Sequence, residues 1–196
     1  MTVLSHKRRL LITLPLAAAL AACGKKEVAF KGSDISGTKL GREMAMVDGS
    51  GKLRTLADYK GKAVVVFFGF TQCPDVCPTA MAELSQTMEL LGDDAAKVQV
   101  LMISVDPERD TPEVLSAYVK AFNPNFVGLT GTPEQLSQTA KSFKAYYAKS
   151  AGATPGQYSM DHASSFYILD PEGEARVLVS GNASAQDIAN DIRQLL

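Results

Sequence analysis

Apolar residues fall into three patterns along the chain, and each predicts a different element. Two uninterrupted runs, Ala63 to Phe70 and Val98 to Val105, lack alternation and predict strands covered on both faces. Helical spacing recurs at Met81, Leu84, Met88 and Leu91, at Val114, Leu115, Tyr118, Val119 and Phe122, at Leu136, Ala140, Phe143 and Tyr147, and at Ile188, Ile192 and Leu195. Four helices follow from it. Pro78 fits the first turn of the first helix, and Thr111-Pro112 and Thr132-Pro133 open the next two. Short apolar runs around turn sequences predict hairpins: Met44 to Val47 and Leu53 to Leu56 flank Asp48-Gly49-Ser50-Gly51, and Ser164 to Leu169 and Ala175 to Val179 flank Asp170-Pro171-Glu172-Gly173. Phe126 to Leu129 reads as a short strand, and Ala148 to Ser159 as a small-residue insertion.

Strand-helix-strand units followed by a hairpin and a helix predict a thioredoxin-like α/β sandwich. Helices would cover both faces of a central mixed β-sheet, with an added N-terminal β-hairpin. Val64, Val66, Phe68, Val100, Met102, Ile103, Phe166 and Ile168 are its expected core.

The N-terminus does not belong to that pattern. His6-Lys7-Arg8-Arg9 precedes an apolar run from Leu10 to Ala22, shorter than the roughly 20 residues a spanning helix needs. Small residues before Cys23 resemble the bacterial lipoprotein box, in which the cysteine is lipidated; the alternative is a plain signal peptide or an uncleaved anchor. The expected organisation is a signal peptide over 1–22, a lipid-anchored flexible tether over 23–42 and one domain over 43–196. Export would place the domain on the extracytoplasmic face of a bacterial cell envelope, where unprotected thiols tend to oxidise. Twenty basic and twenty-one acidic residues give a net charge of −1, with no basic stripe past the N-terminus, so nucleic acid is not an expected partner.

With Cys23 assigned to lipid, two cysteines remain, in Cys73-Pro74-Asp75-Val76-Cys77, where the first central strand gives way to a helix. Thiols at a helix N-terminus are expected to have stabilised thiolates. Three residues separate them where redox thioredoxins have two, which widens the sulfur–sulfur bite. His162 is the only histidine outside the signal segment. Two thiolates and an imidazole form a soft set suited to Cu(I), whereas structural zinc would lack a fourth ligand. From spacing alone, a simple disulfide and an uninvolved histidine remain equal alternatives. Met81, Met88 and Met160 could add thioether ligation, although the first two have core spacing; Asp161 and Asp75 could orient His162 or tune the metal.

Phe67 to Thr79, FFGFTQCPDVCPT, resembles the signature of the Sco/SenC family, as do Ser104 to Pro112 and Asp161-His162 followed by Phe166 to Pro171. The resemblance implies a copper protein of cytochrome c oxidase assembly. It would hold one copper per chain, as Cu(I) and in some states Cu(II), through Cys73, Cys77 and His162, with Asp161 close by. The implied partners are the copper-accepting oxidase subunit, the membrane through its lipid anchor, and other copper chaperones or thiol reductants. The implied role is metallochaperone rather than enzyme. Alternatively, Cys73 and Cys77 would act catalytically as a thiol-disulfide reductase of the oxidase copper-site cysteines. The charged loop Asp106 to Pro112 is expected to shape the site or its partner surface.

Overall fold

Between them, the longest apolar runs make the two middle strands of an eight-stranded sheet. The computed structural model describes residues 29–152 and 157–196. In chain order its strands and helices are β1 (Ser33–Asp34), β2 (Met46–Asp48), β3 (Leu53–Arg54), β4 (Ala63–Gly69), α1 (Val76–Leu91), β5 (Val98–Ser104), α2 (Pro112–Phe122), β6 (Val127–Thr130), α3 (Pro133–Phe143), β7 (Tyr147–Ala151), β8 (Tyr158–His162), β9 (Phe166–Leu169), β10 (Ala175–Val179) and α4 (Ala185–Arg193). The main sheet has the order β1-β10-β9-β4-β5-β6-β2-β3, and β7 and β8 form a separate hairpin. Strands β4, β5 and β6 are parallel, while β4 meets β9 antiparallel, so the sheet is mixed. The fold is thioredoxin-like, as expected. No helix among the described residues is long and apolar enough to cross a membrane.

Every residue of β4 is buried, as a strand without alternation requires. Its neighbouring phenylalanines assign the faces, because successive strand side chains point oppositely. Phe68 packs on Phe143 of α3, with ring centroids 5.5 Å apart. Phe67 lies on the other face with Gly69, where a Cβ would come within 2.9 Å of the Cys77 sulfur on α1. Gly128, in register with Met102 and through it with Phe67, backs onto Leu115 of α2. Helix α4 packs on α1. Helices α1, α2 and α4 thus share one face and α3 covers the other. The eight expected core positions are all buried.

The helix starts follow from their caps. Thr111 and Thr132 accept hydrogen bonds from the Val114 and Gln135 N–H groups, with proline in the first helical turn each time. In the β9–β10 turn, Gly173 has φ of +87°, a conformation that favours glycine.

Two expectations are corrected. The stretch over 148–159 is more than a small-residue insertion: its two described ends belong to β7 and β8, which join Tyr147 to His162 and Ala151 to Tyr158. His162 therefore ends a strand. The expected tether, 23–42, also ends too late. Ser33 and Asp34 pair with β10, Leu40 is buried, and the backbone N–H groups of Lys31 and Gly32 donate to the buried Asp191 carboxylate at 2.6 and 2.8 Å. The domain begins at least ten residues before the expected boundary at 43. The expected signal peptide over 1–22 and the lipidated Cys23 lie outside the described residues.

Candidate metal centre

Three elements deliver the donor atoms. Cys73 sits in the turn after β4, Cys77 in the first turn of α1, and His162 at the end of β8. Their sulfur and imidazole atoms all lie within 4.8 Å of one another. Cys77 is buried, and Cys73 and His162 are half-buried. No disulfide joins the cysteines.

The helix start explains the arrangement of the sulfurs. Asp75 occupies the cap position but its side chain accepts no capping hydrogen bond. The Cys77 N–H donates instead to the Cys73 sulfur at 3.4 Å. The helix N-terminus therefore acts on Cys73. Cys77 departs from the expectation of a stabilised thiolate. Burial pushes its thiol well above the ordinary value of 9.0; a backbone hydrogen bond at Phe70 opposes the rise, while the Cys73 sulfur and the Asp110 carboxylate add to it.

His162 is held in one tautomer. Its Nδ1 lies 3.0 Å from the Ala163 carbonyl, which can only accept, so Nδ1 carries the proton. Its Nε2 faces the Cys77 sulfur at 3.5 Å. In the neutral site the Cys77 S–H donates to that nitrogen, and an ion entering between the two would displace this proton. Phe67 and Phe70 meet the imidazole edge-on, with centroids 6.0 and 5.8 Å away. The missing Cβ of Gly69 leaves room for Phe67 and the Cys77 sulfur together. A cleft of about 320 Å³ opens beside Cys73 and His162, bordered by Phe70, Pro74, Val76 and Met160.

The other expected site residues are not at the centre. Asp75 and Asp161 are exposed, and neither hydrogen-bonds to His162; Asp161 borders the cleft but accepts from Ser150. The backbone carbonyl of Ala163 does the orienting expected of them. Met81 and Met88 are buried on α1, as core spacing predicted, and Met160 borders the cleft.

The loop after β5 contributes more than its sequence revealed. Asp110 is fully buried and accepts from the Thr71 N–H and hydroxyl and from the Ser104 hydroxyl, which pins the turn leading to Cys73. Asp106, also buried, pairs with Arg109 and accepts from the Tyr158 hydroxyl at 2.8 Å. The available signal was an aspartate pair spaced four apart between an apolar strand and a Thr-Pro cap. Charged loop residues ordinarily face water, so that signal is weak.

Comparison with known proteins adds four findings. The SCO1/SenC family model matches residues 33–196. Protein SCO2, mitochondrial, of Saccharomyces cerevisiae is 38% identical over 193 residues, 97% of this chain and 60% of its own length, so this chain spans less than two thirds of that relative. Among solved structures, Bradyrhizobium japonicum ScoI with copper bound is 34% identical with a TM-score of 0.71, covering 86% of this chain and 100% of that one. BsSco is 25% identical with a TM-score of 0.66, covering 85% and 98%. It is described as having a disulfide switch and as a member of the Sco family of cytochrome c oxidase assembly proteins.

Proposed function

The chain belongs to the SCO1/SenC family, and on that premise we propose that it is a copper metallochaperone that holds one copper ion through Cys73, Cys77 and His162 for delivery to cytochrome c oxidase. The observation that carries this reading is the approach of two sulfurs and one imidazole nitrogen to within 4.8 Å. The donor chemistry fits copper: two thiols and a neutral imidazole are soft ligands, and three of them suit Cu(I) better than a four-ligand structural zinc. The copper-bound B. japonicum relative supports the same choice.

Capture requires both thiols to lose protons while the imidazole stays neutral. Cys73, nearer the cleft, is the sulfur to release first when an acceptor's thiolate takes over the ion, and Cys77 and His162 the last to let go. The acceptor is the copper-binding subunit of the oxidase. Cys23 would anchor the chain as a lipoprotein on the extracytoplasmic side of the bacterial envelope, a reading that rests on the sequence before residue 24.

A second reading is favoured by the free, adjacent thiols and by the disulfide switch described for BsSco. Here the Cys73 thiolate attacks a disulfide of the oxidase subunit, forming a mixed disulfide and releasing one thiolate. Cys77 then resolves it, leaving a Cys73–Cys77 disulfide and a reduced, two-electron-richer partner. Metal analysis with copper spectroscopy on the reduced full chain tests the first reading. About one copper per chain is expected, lost when either cysteine is replaced by serine. A chain that holds no copper but restores oxidase assembly would establish the second reading in its place.

A further inference from the structure

Arg109 touches none of the three candidate ligands, yet it contacts both the turn that carries Cys73 and the strand that ends in His162. Its Nη1 donates to the Gln72 side-chain oxygen at 3.0 Å, beside Cys73, and to the Tyr158 backbone carbonyl at 3.2 Å, on the strand that ends in His162. Its guanidinium stacks 3.9 Å from the Tyr158 ring centroid and lies 5.8 Å from that of Phe70, whose ring meets the imidazole. Its Nε pairs with Asp106, which also accepts from the Tyr158 hydroxyl and whose own N–H is held by the Ser104 hydroxyl at 3.0 Å.

Strand β8 needs such a fastening, because it belongs to the two-stranded hairpin and pairs with no strand of the main sheet. An isolated hairpin is marginal in water. Tyr158, Met160 and His162 alternate onto the same face of β8, so fixing Tyr158 fixes the plane from which His162 projects.

We propose that Arg109 is a positioning residue of the metal centre: it clamps the His162 strand to the cysteine turn and thereby sets the distance between imidazole and sulfurs. The inference rests on the reading that Cys73, Cys77 and His162 share one ion. The task suits arginine because its rigid planar guanidinium serves Asp106, Gln72 and the Tyr158 carbonyl at fixed angles while its face stacks on the Tyr158 ring; a compact ammonium on a flexible stem does not reproduce that fixed geometry.

The test measures Cu(I) affinity by competition with a chromophoric chelator on the reduced full chain, for the parent, R109A, R109K, H162A and R109A/H162A. R109A is expected to bind about tenfold to a hundredfold more weakly, the range seen when a group orienting a ligand is lost, with R109K in between. In the H162A background R109A should cost nothing further, since both changes remove the same ligand. X-ray absorption of copper-loaded R109A should retain sulfur scattering and lose imidazole scattering, which a merely structural role would not produce. Should R109A fail to fold, R109K and R109K/H162A carry the same comparison. Parent-like affinity in R109A, or an undiminished further loss in the double variant, overturns the inference. H162A with parent affinity overturns the ligand reading and this inference with it; H162A weakened beside an unaffected R109A overturns this inference alone.

Discussion

The backbone N–H of Cys77 points at the sulfur of Cys73, 3.4 Å away, so one candidate ligand caps the helix on which the other is carried. This divides the labour between two residues that look alike in the sequence. Cys73 is half-buried and receives a helix-terminal donor, whereas Cys77 is fully buried with its proton retained.

Thiol reactivity should show the division directly. Alkylation of the reduced, metal-free chain at pH 8, mapped by mass spectrometry, is expected to label Cys73 at least about tenfold faster than Cys77, because the thiolate is the nucleophile and access is required. Equal rates would contradict the assignment.

Stability should depend on pH through the same thiol. Burial favours the protonated form, so the folded chain keeps a proton that the unfolded chain releases above its ordinary value of 9.0. The contribution is fully present below that value and is lost as pH rises toward the folded one. Urea midpoints of the reduced chain should fall from pH 8 to 10, where the tyrosines raised above their ordinary value of 10.0 begin to add to the loss, and C77S should remove the part due to the thiol.

Replacing His162 by alanine should leave the urea midpoint nearly unchanged while weakening Cu(I) by at least the tenfold to hundredfold of losing an orienting group, about 1.4 to 2.7 kcal/mol. Competition titration and denaturation together check both halves.

Gly69→Ala tests how tightly the centre is packed. Its Cβ would stand 2.7 Å from the Phe67 ring, 2.9 Å from the Cys77 sulfur and 3.1 Å from the Met102 methyl, with no room on any side. A loss of about 1 to 3 kcal/mol of stability is expected from overpacking, along with weaker copper binding because the sulfur must move. Urea denaturation and chelator competition give the two values.

Asp110→Ala removes the acceptor for three donors of the turn and of β5. Hydrogen bonds to a charged group contribute about 1.5 to 3 kcal/mol, and the stranded Ser104 hydroxyl adds to the cost, so a clear drop in the urea midpoint is expected. An unchanged midpoint would mean that the turn is held by something else.

The main sheet and all four helices were legible because strong apolar runs and Thr-Pro caps mark them. Strand β1 was not, being two exposed residues paired through backbone alone at a sheet edge. The β7–β8 hairpin escaped for a related reason: Tyr147–Ala151 and Tyr158–His162 are mostly small or polar and half-exposed, which gives no periodicity to read. The two cysteines and His162 were legible as chemistry, and their convergence needed the fold. Asp75 and Asp161 make no hydrogen bond to His162: along β8, Met160 is buried and Asp161 exposed, although Asp161 borders the cleft. Arg109 and Asp110 stayed hidden among charges that ordinarily face solvent.

Asp191 holds Lys31 and Gly32 by their amides, and that grip would set how far the domain could roam from an anchor at Cys23. From the proposed anchor at Cys23 to Phe30 there are only seven peptide links, which at full stretch reach about 25 Å, whereas a free segment as far as Glu43 would have reached about 70 Å. With Cys23 lipidated as proposed, a domain on so short a leash would patrol a thin layer above the bilayer, and the proposed acceptor would have to offer its thiols within that layer.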